Sequence, residues 1–166
     1  MAHTSFERVA AVTTSHSERD VLEAFLDHFR ETIANSLDGL DEQQARTRLV
    51  PSLTTPIGLV GHCTADERSW FQLVVEGRPE AELSGPRSSQ DASWLVPDDT
   101  SVADVLAAYR TTCAESREIA ARFDLDHEFA YEDGRFTLRW IYVHMIEELA
   151  RHAGHADILR EQITSG

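Results

Sequence analysis

The sequence predicts an all-α fold, a four-helix bundle with a long connection between its second and third helices. Three observations carry this prediction. Apolar residues recur at helical spacing in four separate stretches, capping residues stand in front of them, and the composition is that of one compact domain. The chain has 166 residues, 42% of them apolar and 27% charged, which suits a single core and a single domain over residues 1–166.

The first helix opens with Ser17 and Asp20 as a capping box. It continues through Leu22, Phe25, Leu26, Phe29, Ile33 and Leu37 and stops near Gly39. The second is announced by Thr54 and Thr55 before Pro56, a residue suited to the first helical position because its missing N–H would have no partner there. It runs to about Val75, ahead of Gly77 and Pro79, with Leu59, His62, Cys63, Asp66, Trp70 and Leu73 on one stripe. From Gly77 to Asp99, Ser, Pro and Asp dominate and only Trp94, Leu95 and Val96 offer an apolar anchor, which predicts a long surface connection. Ser101 and Asp104 form a second capping box, opening a third helix that carries Val105, Leu106, Tyr109, Cys113, Ile119, Ala120 and Phe123. Residues His127 to Leu138 alternate around Asp133-Gly134 as in a hairpin, and the last helix spans about Thr137 to Ile163. The long connection permits the second and third helices to run parallel; the topology itself stays open at this level.

Charge and cysteine usage exclude several functions. The formal net charge is -14, and no basic run is present that could track phosphates, so nucleic acid is excluded as a partner and a small molecule or a protein is expected. All 15 basic residues are Arg, a bias expected from a GC-rich, actinobacterium-like genome. Cys63 and Cys113 are too few for a disulfide framework, in keeping with a reducing cytoplasm. No leader pattern and no membrane-spanning apolar run occurs, so a soluble cytoplasmic protein without a membrane partner is expected. Apolar residues facing outward leave room for a homodimer.

The chemistry lies on the apolar stripes. The last helix carries Leu138, Ile141, Met145, Glu148, Leu149, His152, Ala156 and Leu159, so Glu148 and His152 sit one turn apart where core residues belong. An ionised carboxylate there costs several kcal/mol without a partner or a metal. His62 is the only histidine on the stripe of the second helix and supplies the third donor. His62, Glu148 and His152 thus make a set of two imidazoles and a carboxylate, as used by catalytic zinc and by non-haem iron. Asp66 and His155 stand one turn beyond His62 and His152, as groups that orient the ligands or meet a substrate. His144, four residues before Glu148, is the alternative ligand. The competing structural account makes His62 a hydrogen-bonded core histidine and pairs Glu148 with Arg151 or His144.

The remaining candidates receive lesser roles. His3, His16, His28 and His127 fall near a terminus, a helix start or a loop and are expected to be solvated. Cys63 and Cys113 are read as small hydrophobes, and Trp70, Phe71, Tyr109 and Trp140 as core or as pocket lining. Glycine-rich phosphate loops, G-x-S-x-G and CxxC are absent from the sequence.

Two segments, GLVGHCTADERSWF from Gly58 to Phe71 and LRWIYVHMIEELARHAGHADILRE from Leu138 to Glu161, resemble the DinB-like superfamily. The resemblance is to its branch of mycothiol-dependent maleylpyruvate isomerases and mycothiol S-transferases. It implies a four-helix bundle holding a divalent metal, usually zinc, through His62, Glu148 and His152. It also implies a low-molecular-weight thiol, mycothiol foremost, as co-substrate attacking a small electrophile. A thiol-dependent isomerase, a metal-dependent hydrolase and a non-enzymatic metal-stabilised bundle are the alternatives on the same ligands. The connection from Gly77 to Asp99 would then be the variable wall that selects the electrophile.

Overall fold

The computed structural model describes residues 17–165. Helix α1 spans Glu18–Asn35, a short α2 Glu42–Ala45, α3 Pro56–Glu67, α4 Val102–Ala120 and α5 Leu138–Thr164, with a hairpin of β1 Glu128–Tyr131 and β2 Gly134–Thr137 before α5. The four long helices stand where the periodicity places them. Two features were not anticipated. Helix α2 is a single turn with its own capping box between Asp41 and Gln44, too short to show a period. Helix α3 passes directly into a π-helix over Arg68–Val75, where the Glu76 amide bonds to the Phe71 carbonyl five residues back at 2.9 Å.

The start signals act as predicted. Ser17 accepts from the Asp20 amide and Ser101 from the Asp104 amide, each with the reciprocal bond. Thr55 accepts from the Gly58 amide with Pro56 in the first turn. Thr137, expected as the first residue of the last helix, is instead its cap and accepts from the Trp140 amide. The hairpin differs in detail from the expected turn: Tyr131 pairs with Gly134, so Glu132 and Asp133 make the turn and Gly134 opens β2. The positive φ falls on Glu132, at 50°.

Polar contacts between helices fix their directions. Glu18 meets Arg139 at 2.7 Å and the Ser36 carbonyl accepts from Arg160 at 3.1 Å, so α1 and α5 run parallel. Gln72 donates to Glu115 at 2.6 Å and Arg122 to Glu76 at 3.0 Å, so the π-helix that continues α3 runs parallel to α4. The connection across 77–99 makes that crossover, with short 3₁₀ turns at Glu80–Glu82 and Asp91–Trp94. Helices α3 and α5 are antiparallel, since His62 lies against His152 and Trp70 against His144. Leu26, Ile33, Leu59, Phe71, Ile119, Ile141, Met145 and Leu149 fill the core between them. Among the described residues no helix is long and apolar enough to cross a membrane.

Candidate metal centre

Antiparallel packing of α3 on α5 sets two rows of residues spaced by four against each other, His62, Asp66 and Trp70 on one helix and His144, Glu148 and His152 on the other. The His62 and His152 rings meet edge-on with centroids 4.9 Å apart, and Trp70 meets His144 at 4.7 Å. Between these rungs Glu148 is close enough for its charge to act on Asp66.

At the inner end, one ligand atom each from His62, Asp66 and His152 lie within 4.8 Å of one another, and all three residues are buried. His62 Nε2 is 3.5 Å from Asp66 Oδ2. Among the described residues, Asp66 Oδ2 and both ring nitrogens of His152 are buried without a hydrogen-bond partner. Each such atom costs on the order of 1–3 kcal/mol if left so. Burial pushes the His62 imidazolium down to about 4, reinforced by His152. Burial likewise takes His152 to about 4, opposed by Glu148. Burial raises the Asp66 carboxyl to about 7, with Ser88 drawing it down by a hydrogen bond and Glu148 pushing it up. Both imidazoles are therefore neutral near pH 7, the form a metal requires. The residues fit a divalent cation: two nitrogen lone pairs and a carboxylate oxygen converge from buried residues, and a cation would give Asp66 Oδ2 and one His152 nitrogen the partner they lack.

The predicted residues are placed as follows. Glu148 is partly exposed at the edge of the cluster, with Oε2 3.7 Å from His152 Nε2. Its Oε1 accepts from Arg151 at 2.7 Å, the pairing that the competing account proposed. Asp66, expected in a supporting role, sits in the tight set itself. His155 is exposed, its ring 5.7 Å from that of His152, outside the cluster. His144 belongs to a second, more exposed group with Glu147 and Glu148. Its ring stacks on Trp140 at 5.0 Å, and burial holds its imidazolium below the usual range. His28 packs beside Phe29 and His127 beside Phe123, away from the cluster. His3 and His16 lie outside the described residues. Cys63 and Cys113 are buried free thiols, and burial pushes both pKa values up, so neither is poised as a nucleophile.

Two neighbours of the cluster escaped the sequence reading. Trp94 stacks on His62 with centroids 3.9 Å apart and planes at 13°, and Ser93 Oγ lies 2.9 Å from His62 Nδ1. Trp94 stood out only as an apolar anchor. Ser93 had no signal, because a residue arriving from a loop carries no period. A separate groove of about 550 Å³ between α1 and α4, lined by Arg30, Tyr109 and Cys113 among others, shares no residue with the cluster.

No curated protein matches the chain. The family model described as mycothiol-S-transferase matches residues 21–165, from the first turn of α1 to the end of α5, and so takes in every residue of the cluster. This chain belongs to the mycothiol S-transferase family.

Proposed function

We propose that this protein is a metal-dependent thiol S-transferase that activates a low-molecular-weight thiol, mycothiol foremost, for attack on a small electrophile. The observation that carries it is the buried His62, Asp66 and His152 set with its orphaned polar atoms, found in a chain of this family. A divalent cation, zinc as first candidate, would be held there by His62, His152 and Glu148, with Asp66 as a further carboxylate donor from the facing helix. When bound, such a cation supplies the positive charge that favours thiolate over thiol near neutral pH. In the overall reaction the thiol loses its proton, its sulfur forms a bond to an electrophilic carbon, and the leaving group departs with its bonding pair.

The protein's own groups have distinct tasks. His62 and His152 stay neutral through burial and keep their lone pairs available. Trp94 and Ser93 exclude water from one side of His62. His155, exposed beyond His152, is suited to meet the polar part of the thiol, and the connection from Gly77 to Asp99 to select the electrophile. The four long helices act as a DinB-like bundle that presents these groups, in the cytoplasm and without a nucleic-acid or membrane partner.

The test is elemental mass spectrometry on protein purified without an affinity tag, comparing wild type with His62→Ala, Glu148→Ala and His152→Ala. About one equivalent of divalent metal in wild type, lost in the variants, is expected. Conjugation of mycothiol to 1-chloro-2,4-dinitrobenzene should stop on chelation. A folded wild type that binds no added zinc overturns the reading.

A further inference from the structure

Gly58 and Gly61 stand nearly one turn apart on α3, just before His62. A Cβ at Gly58 would fall 2.5 Å from the Trp94 carbonyl oxygen and 2.8 Å from Thr55 Oγ1, and one at Gly61 would fall 3.2 Å from Val96 Cγ2 and 3.5 Å from the Ser93 carbonyl oxygen. The contact at Gly58 is with backbone, which cannot swing aside as a flexible side chain would. The segment from Ser93 to Val96 is thus seated directly on the helix, in a notch that glycine leaves open.

That close approach delivers Ser93 and Trp94 onto His62. Ser93 is 4% exposed, and its Oγ lies 2.7 Å from the Gln90 carbonyl, 3.2 Å from the Ser88 carbonyl and 2.9 Å from His62 Nδ1. Carbonyl oxygens only accept, and a hydroxyl has one proton to give. The shortest of the three contacts is to the Gln90 carbonyl, which favours the Ser93 proton there; the Ser93 oxygen is then left to accept from His62, with the hydrogen on Nδ1. In a neutral imidazole the other nitrogen then holds the lone pair. That nitrogen, Nε2, faces Asp66 Oδ2 at 3.5 Å, and among the described residues Asp66 Oδ2 receives no hydrogen bond. Trp94, parallel to the ring at 3.9 Å, blocks rotation about the axis that would tip Nε2 out of the cluster. His152 is held less closely: among the described residues neither of its nitrogens has a hydrogen-bond partner, and Trp94 meets its ring edge-on at 5.5 Å.

We propose that Ser93 is a positioning residue: held on α3 by the Gly58 and Gly61 notch, it locks His62 as the Nδ1–H tautomer and aims Nε2 into the His62, Asp66 and His152 cluster. The cation that Nε2 would meet rests on the function proposed above; the tautomer does not. His62 is therefore the preorganised donor of the site and His152 the adaptable one.

The tautomer is read in metal-free protein with ¹⁵N-labelled histidine, by long-range ¹H–¹⁵N correlation at pH 7.5. Wild type should show His62 protonated at Nδ1 alone. Ser93→Ala should give a mixture of tautomers and, in competition with a chelator, zinc binding weaker by roughly 10–100-fold. Ser93→Thr keeps the hydroxyl and should restore both readouts. Gly58→Ala favours helix in α3 but unseats the strap, and should reproduce Ser93→Ala while the fold, followed by circular dichroism, persists. An Nε2–H tautomer in wild type, or an unchanged tautomer and zinc affinity in Ser93→Ala and Gly58→Ala, would overturn the proposal. Wild type that shows the Nδ1–H tautomer yet binds no zinc leaves the lock standing and removes only the metal reading.

Discussion

Glu67 accepts from Arg30 Nε at 2.7 Å and from Arg30 Nη2 at 2.8 Å, a two-pronged pair in which neither residue is more than 5% exposed. The carboxylate beside it in sequence, Asp66, joins His152 of α5 instead, and among the described residues no arginine forms an ion pair with it. Successive helical residues are turned about 100° from one another, so these neighbours serve separate ends. Glu67 binds α3 to α1, and Asp66 is left for the cluster. Removing Glu67 would leave the buried guanidinium with Asp27 alone, through Nη1 at 3.0 Å.

Glu67→Ala is accordingly expected to destabilise the protein by about 3–5 kcal/mol, the cost of breaking a buried pair from one side. Urea unfolding measures it, and a loss under about 1 kcal/mol would show that water or Asp27 takes over the pairing.

Metal removal should lower the unfolding temperature, because a ligand bound only to the folded state stabilises it by mass action, about 4 kcal/mol at a thousandfold excess over Kd. Differential scanning fluorimetry with zinc and with chelator reads the shift. In His152→Ala the two curves should coincide; a shift of wild-type size in that variant would place the ion elsewhere.

The metal-free protein should lose stability as pH falls from about 6.5 to about 4. His62 and His152 are depressed to about 4 in the fold from an ordinary 6.5, so the unfolded chain binds their protons first and stability falls as they are taken up. Asp66, raised from 3.8 to about 7, has the opposite sign: its contribution is complete below its unfolded pKa and is lost as pH rises through about 7. Two histidines outweigh one carboxyl over the shared window. Urea midpoints at pH 7, 5.5 and 4.5 for wild type and His152→Gln separate this effect from that of surface acids. Parallel profiles would show that His152 does not titrate as described.

Cys63 and Cys113 are buried with raised thiol pKa values. Native protein should therefore be silent to Ellman's reagent over minutes, and both thiols should appear on unfolding. Rapid modification of Cys63 in the native state would reopen a protein nucleophile and weaken the case for an external thiol.

The sequence by itself determined what depends on neighbours along the chain. Capping at Ser17, Thr55 and Ser101 is a matter of three or four residues, and the apolar stripes follow from helical period, so the long helices were legible. His62, Glu148 and His152 were legible for the same reason, as polar groups on those stripes. Tertiary structure decided which stripes meet and in which direction. Only when α3 runs against α5 does Asp66 enter the tight cluster while Glu148 stands at its edge with Arg151. Only when residues 93–96 settle on Gly58 does Ser93 reach His62. Helical period says which face a residue occupies. What that face touches depends on contacts between segments far apart in sequence, for which spacing along one helix carries no information.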